Sequence, residues 1–471
     1  MKYYSTRGGS PAVSSARAIV NGLAPDGGLY TMSPDSIPHL DINGLRDLDY
    51  CALAARVISA LLPDFSEAEA AELVQRAYKG KFSSPLLAPL FDTGSDMFLE
   101  LFRGPTSAFK DMALCLLPYL MKASAEKCGQ SGDILILTAT SGDTGKAAME
   151  GFRDVPGIRI IVFYPDEGVS AVQKQQMVSQ TGKNVKVCAV SGNFDDAQSG
   201  VKQIFESAPD CPGVSLSSAN SINIGRLVPQ VVYYFSSYFA AVNSGRIALG
   251  EKLSFSVPTG NFGDILAGYI AGEMGLPVAK LICASNKNNV LTDFINTGLY
   301  DRRREFYKTT SPSMDILISS NLERLLYLMS GDTDLVAKLM LQLKTEGHYQ
   351  IPAELLKKLQ SRFAAFCCDD SETKAAIKTV WDTQHYLCDT HTAVAWKAAR
   401  DFGVANGPCV ILSTASPYKF PAAVLSALEI PCGEDEFEMM ELLEKKTLVP
   451  MPENLRGLRR RPRLHSDLVS P

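Results

Sequence analysis

Between residues 133 and 207 the chain runs three times through the same pattern, a short aliphatic and β-branched run followed by a helical stretch. Residues 133–138 (DILILT), 158–164 and 185–190 read as strands, and residues 146–152, 172–180 and 195–207 read as the helices that follow them. An alternation of about 25 residues is the mark of βα units, whose strands lie parallel in a sheet with helices on its faces. A second set follows with helix 227–242, strand 253–257, helix 264–274 and strand 278–284, and residues 410–414 add one more strand. The fold class is therefore α/β, with two open sheets. Residues 126–224 are expected to form a smaller α/β domain inserted into a larger one made of 91–125 and 225–471. Residues 1–90 form a mixed lead-in, with a turn at Ala24-Pro25-Asp26-Gly27-Gly28 and helices over 50–62 and 66–78. The stretch from about 300 to 385 has little β signal and reads as a helical insertion.

Composition removes several classes of function. The 471 residues are 46% hydrophobic and 21% charged, which suits an ordinary globular core. Forty-six Lys and Arg against 51 Asp and Glu give a net charge of −5, far from a nucleic-acid-binding footprint. No apolar run approaches the ~20 residues of a membrane helix, and the opening MKYYSTRG lacks a signal-peptide core. Eleven scattered cysteines suit reduced thiols and a cytoplasmic location better than a disulfide framework. Arg456, Arg459, Arg460, Arg461 and Arg463 form a basic cluster that reads as a solvated tail.

Five motifs carry chemistry. In Glu100-Leu-Phe-Arg-Gly-Pro-Thr-Ser-Ala-Phe-Lys110-Asp111 a lysine stands just ahead of an apolar run. Desolvation there favours the neutral amine that a Schiff base requires. Thr138-Ala-Thr-Ser-Gly-Asp-Thr-Gly-Lys-Ala147 follows a strand and opens a helix, so its backbone N–H groups face an anion. It is not a nucleotide P-loop, because Thr140 stands where the first glycine belongs and Ala147 where a magnesium-binding hydroxyl belongs. Val257-Pro-Thr-Gly-Asn-Phe-Gly-Asp264 is a second strand–turn–helix cradle. Asn220-Ser-Ile-Asn-Ile-Gly-Arg226 offers polar donors and an arginine for an anion, or else a helix cap and a surface arginine. Ser413-Thr-Ala-Ser-Pro-Tyr-Lys-Phe420 places hydroxyls at the end of the late strand, where open sheets hold ligands. Five histidines without HExxH or CxxC spacing leave no metal site, and no GxSxG elbow is present.

Together the motifs RGPTSAFKD, TATSGDTG, SANSINIGR, VPTGNFGDILAGY and STASPYKF, with the leading STRG and LAPDGGLY, resemble threonine synthases of the longer fungal and enterobacterial branch. Those are pyridoxal-phosphate enzymes of the tryptophan synthase β-like fold, fold type II. The resemblance implies pyridoxal 5'-phosphate carried on Lys110, its phosphate cradled by Gly260, Asn261, Phe262 and Gly263, and its ring nitrogen facing Thr414. It implies that Ser141, Gly142, Asp143 and Thr144 hold the substrate carboxylate and the ring's O3′ side, and that Asn220, Ser221 and Arg226 take the substrate's phosphate, with Lys146 as an added candidate. The implied reaction converts O-phospho-L-homoserine and water to L-threonine and phosphate, in a monomer or homodimer that needs neither nucleic acid nor membrane. Its rivals are a sibling lyase that stops at 2-oxobutyrate, a serine or threonine dehydratase, and a non-catalytic cofactor holder. Two departures from the family pattern are Arg103, where a histidine is usual, and the Ser416 and Tyr418 pair, which adds bulk beside the expected pocket.

Overall fold

The computed structural model describes every residue except 141, 167–168, 193, 208–212, 404, 406 and 471. At the N-terminus, strands β1 (Tyr3–Ser5) and β2 (Tyr30–Met32) pair antiparallel. The turn between them is closed by Asp26, whose carboxylate accepts from Ser5 Oγ at 2.7 Å and Gly28 N at 2.9 Å. Helices Tyr50–Leu61 and Glu67–Tyr78 follow, the second opened by a capping box of Ser66 and Glu69. Strands β3 (Leu90–Asp92) and β4 (Met97–Glu100) come next, then β5 (Asp133–Ala139), β6 (Ile158–Pro165), β7 (Val185–Val190) and β8 (Val214–Ser217). The long buried helix Ile224–Asn243 leads to β9 (Leu253–Pro258) and β10 (Val278–Ser285). The antiparallel pair β11 (Leu299–Asp301) and β12 (His348–Gln350) precedes β13 (Phe363–Cys367), β14 (Cys409–Ser413) and β15 (Asp467–Val469).

Two sheets organise the molecule. The larger has the order β13-β10-β9-β14-β4-β3 and is parallel except for its β3–β4 edge. The smaller has the order β15-β7-β6-β5-β8 and is parallel throughout. Strands β9, β10 and β14 are apolar runs covered on both faces, as parallel sheets require.

Several elements differ from the sequence expectation, among them β11 and β12 around the expected helical insertion. Strands β4 and β8 carry no strand signal of their own: each has four residues, and Val214–Ser217 is half polar. Strand β13 interrupts the expected helical insertion; its Phe-Ala-Ala-Phe-Cys sequence has weak β propensity, and pairing with β10 decides its conformation. The tail is not simply solvated. Arg456 pairs with Glu444 at 2.6 Å and Arg459 with Asp435 at 3.0 Å. The chain then donates from Leu464 N (2.8 Å) and His465 N (3.1 Å) to Val178 O and ends as β15 on the edge of β7. An exposed parallel edge gains by being covered, and a local basic count carries no trace of that.

Candidate active site

The segments that follow β4, β5, β9 and β14 leave the C-terminal ends of parallel strands, and the candidate residues they carry gather in one region there, at the end where open α/β sheets hold ligands. Lys110 enters it from the segment after β4. Buried Asp111 closes that segment, accepting from Thr106 N at 2.8 Å and Thr106 Oγ1 at 2.6 Å. Gly104 lies so close that a Cβ there would sit 2.5 Å from Asp111. The end of β14 locks the same segment: Phe109 N donates to Thr414 O at 2.8 Å, and Ser416 N to Ser107 O at 3.1 Å. Lys110 is thereby held at the start of helix Lys110–Leu114, its ammonium 4.9 Å from the centre of the Phe109 ring. Burial lowers its pKa to about 8; nearby Lys419 and Arg226 push the same way, and Asp143 opposes them.

A lowered pKa makes the neutral, nucleophilic amine available at lower pH. The rate at which the protein captures pyridoxal phosphate, the aldehyde that the resemblance implies, is therefore expected to rise with pH and level off near 8, rather than near the ordinary lysine value of 10.5. Stopped-flow absorbance measures this directly, and a rate still climbing through pH 10 would contradict the environment assigned to Lys110. Lys419→Met is expected to move the plateau upward, because it removes a neighbouring positive charge.

After β5, Thr140 Oγ1 accepts from Gly142 N at 3.1 Å and Gly145 N at 2.9 Å, shaping the turn. Ser141 lies outside the described residues. Asp143 begins helix Asp143–Phe152 and is buried, accepting from Lys419 Nζ at 2.6 Å and Gln173 Nε2 at 3.0 Å. Burial alone would raise its pKa, but Lys419 and Lys110 outweigh it and hold the carboxyl ionised, well below the usual range. Half-buried Thr144 follows on the same helix. Lys146 is turned to Glu150, at 3.4 Å, and to Gln180 Oε1, so its charge is already paired.

The cradle after β9 has its carbonyls drawn backward. Gly260 O accepts from Ser319 Oγ at 2.7 Å, and Asn261 O from Asn321 Nδ2 at 2.9 Å. Among the described residues no acceptor takes the N–H groups of Gly260, Asn261, Phe262 or Gly263. A side chain at Gly260 would meet Ser313 O at 2.8 Å. Phe262 holds a left-handed φ of 61° as the cap of helix Gly263–Glu273, anchored by its buried ring against Phe363. Under the cradle, His391 Nδ1 donates to Asp389 at 2.7 Å, and its Nε2 accepts from Ser313 N at 3.1 Å.

In the segment 220–226, Asn223 caps helix Ile224–Asn243 by accepting from Gly225 N at 2.9 Å. Asn220 is exposed and Ser221 half-buried. Arg226 is buried rather than a surface residue: Nη1 donates to Ala219 O at 3.0 Å, while among the described residues buried Nε has no partner. Desolvation lowers its pKa to about 10. A buried guanidinium with a free donor, facing a second cation at Lys110, calls for an anion.

Lys110, Asp143, Arg226 and Lys419 thus share one electrostatic neighbourhood. The cradle joins it through Asn321, which donates to both Asn261 O and Ser221 O. Thr414, almost fully buried, sits beside Lys110 through its bonded carbonyl. The departures at Arg103 and Tyr418 are engaged by neighbours: Arg103 pairs with Glu100 at 2.5 Å, and the Tyr418 hydroxyl donates to Val449 O. Sequence reasoning passed over Lys419, although it stands inside the STASPYKF motif between two aromatic residues. Gln173, Ser319 and Asn321 have no local motif, and His391 was weighed only as a metal ligand.

The free N–H row, the unpartnered Arg226 Nε and the desolvated Lys110 fit a group bearing an aldehyde and an anion, as pyridoxal phosphate does. Fold and site define a pyridoxal-phosphate-dependent enzyme of fold type II. Three family profiles agree: "Threonine synthase N terminus" matches residues 2–78, "Pyridoxal-phosphate dependent enzyme" residues 87–414, and "Threonine synthase, C-terminal" residues 392–468. The chain belongs to the threonine synthase family of these enzymes. It is 40% identical to the threonine synthase of Pseudomonas aeruginosa, over 91% of this chain and 90% of that protein. Pyridoxal-phosphate-bound threonine synthase from Brucella melitensis superposes with a TM-score of 0.89 at 39% identity, covering 100% of this chain and 96% of that one. Human "Threonine synthase-like 1" is 41% identical over 88% of this chain, which spans only 58% of the length of that relative.

Proposed function

We propose that this chain is a threonine synthase, converting O-phospho-L-homoserine and water into L-threonine and phosphate. The observation that carries the reading is buried Arg226, with an unpartnered Nε, in the same neighbourhood as the desolvated amine of Lys110. A dehydratase acting on an unphosphorylated amino acid has no use for that clamp. The cofactor, when bound, supplies an electron sink that makes the substrate's carbon–hydrogen bonds acidic. Lys110 carries it and, once displaced by the substrate amine, holds and moves protons at the substrate carbons. Gly260, Asn261, Phe262 and Gly263 hold the cofactor phosphate through their free N–H groups. Thr414 offers the ring nitrogen a neutral hydroxyl. Gly142, Asp143 and Thr144, with Ser141 before them, hold the substrate carboxylate and the ring's O3′ side.

Arg226, with Asn220 and Ser221, holds the substrate phosphate and stabilises the charge that develops as it leaves. Lys146 is left out of this set, because Glu150 and Gln180 already engage its ammonium. We further propose the two-domain division with residues 126–224 as the smaller unit, a monomer or homodimer, and a cytoplasmic location. Among the described residues the cysteines are all free, which supports a reducing compartment, and no helix is long and apolar enough to cross a membrane.

Product analysis tests the assignment. Purified protein with pyridoxal phosphate and O-phosphohomoserine is expected to release threonine and inorganic phosphate in equal amounts. Phosphate with 2-oxobutyrate and no threonine would assign the sibling lyase instead. No phosphate at all would sink the substrate.

A further inference from the structure

We infer that Asn321, itself held by the buried guanidinium of Arg324, is a positioning residue that aims the backbone donors of both anion sites at once. The inference rests on the reading above, in which the turn 260–263 binds the cofactor phosphate and the segment 220–226 the substrate phosphate. Neither residue is in a motif, and both are fully buried.

In a planar trans peptide the C=O of one residue and the N–H of the next point in opposite directions. Whatever holds a carbonyl back therefore pushes the following N–H forward. Asn321 Nδ2 takes Asn261 O at 2.9 Å, which turns Phe262 N–H into the cradle, and Asn321 N adds a second bond to the same oxygen at 3.1 Å. The same amide takes Ser221 O at 3.3 Å, which turns Ile222 N–H away on the other side. Ser319 Oγ does the equivalent for the preceding peptide, taking Gly260 O at 2.7 Å and turning Asn261 N–H forward.

Arg324 fixes the amide's orientation. Its Nη1 donates to Asn321 Oδ1, so the Asn321 nitrogen must face the two carbonyls. Its Nη2 takes Ile222 O at 2.5 Å, and its Nε takes Tyr30 O at 3.0 Å, tying the hub to the N-terminal strand pair. The adjacent Glu323 is engaged by Thr6 and Arg7, and its charge also favours the charged form of Arg324, whose pKa burial lowers to about 10. One side-chain pair thus spans the N-terminal lead-in, the cofactor cradle and the substrate-phosphate segment.

Two variants separate this role from general scaffolding. Asn321→Leu keeps the number and branching of the side-chain heavy atoms and removes the amide; Ser319→Ala removes one hydroxyl whose hydrogen bond goes to the cradle. The full-length protein, stripped of cofactor, is titrated by absorbance with pyridoxal phosphate and with pyridoxal, which lacks the phosphate. Inorganic phosphate is titrated calorimetrically into the cofactor-loaded protein. Asn321→Leu is expected to lose about tenfold or more of the preference for pyridoxal phosphate over pyridoxal, and about tenfold in inorganic phosphate affinity, with pyridoxal binding itself unchanged. Ser319→Ala is expected to lose the first preference alone, and it stands as the test if Asn321→Leu does not fold. An Asn321→Leu protein that keeps either property, or a Ser319→Ala protein that keeps its cofactor preference, overturns the inference. A parent protein that fails to prefer pyridoxal phosphate, or to bind phosphate, removes the underlying site reading instead.

Discussion

Lys110→Ala is expected to reduce turnover by at least about a thousandfold while leaving the fold intact, because the group removed is the one proposed to carry the cofactor and to move the substrate's protons. The fold should survive, since among the described residues the ammonium makes no hydrogen bond or ion pair and lies 4.9 Å from the centre of the Phe109 ring. Its removal relieves a desolvation cost, and Asp143 keeps its ion pair with Lys419. The cradle N–H groups remain, so pyridoxal phosphate should still bind, but reversibly and removable by dialysis. Steady-state kinetics and thermal denaturation on the same sample decide the matter. Activity above about a tenth of the parent's would remove Lys110 from its assigned role.

Arg226→Met is expected to lower kcat/KM for the phosphorylated substrate by about a hundredfold or more, the scale of a lost charge-assisted anion clamp acting in the transition state. The same change should raise the melting temperature of the ligand-free protein. Arg226 is desolvated, its Nε has no partner, and its pKa falls to about 10, all signs of a charge buried at a cost. Losing one bond to Ala219 O offsets only part of that gain. A residue whose removal stabilises the protein and disables it is one maintained for its ligand. A variant that is both less stable and fully active would show that Arg226 serves the fold instead. Here Arg226 also shows how far sequence could go: the motif SANSINIGR allowed either a capped helix with a surface arginine or an anion clamp. The structure contains the cap, at Asn223, together with a buried arginine.

The βα rhythm was legible because a parallel strand buried on both faces must be apolar along its whole length, and a local composition records that. Strand β7 lies over 185–190 as expected, and β5, β6, β9 and β10 differ by one residue at an end. The two glycine-containing turns were legible for a related reason: backbone N–H groups can be offered to an anion only where a strand stops and a helix starts, and such sites need small residues at fixed places. Strands β8 and β13 left no such record. Each is defined by a neighbour already in place, at the sheet edge, rather than by its own side chains. The tail was misread for the same reason, since the open edge of β7 that it covers lies nearly three hundred residues earlier in the chain.

By itself, then, the sequence determined the α/β class and marked out the lysine, the two strand–turn–helix segments and the arginine as candidates, because each depends on a short stretch whose chemistry is written in adjacent residues. Only the tertiary structure decided what those groups face. Lys419 meets Asp143 across 276 positions of sequence, Asn321 reaches back to Asn261 and Ser221, and Lys146 is claimed by Glu150 and Gln180. Charge pairing and carbonyl orientation act over a few ångströms in space, and no pattern in neighbouring residues encodes which distant side chain will fill that distance.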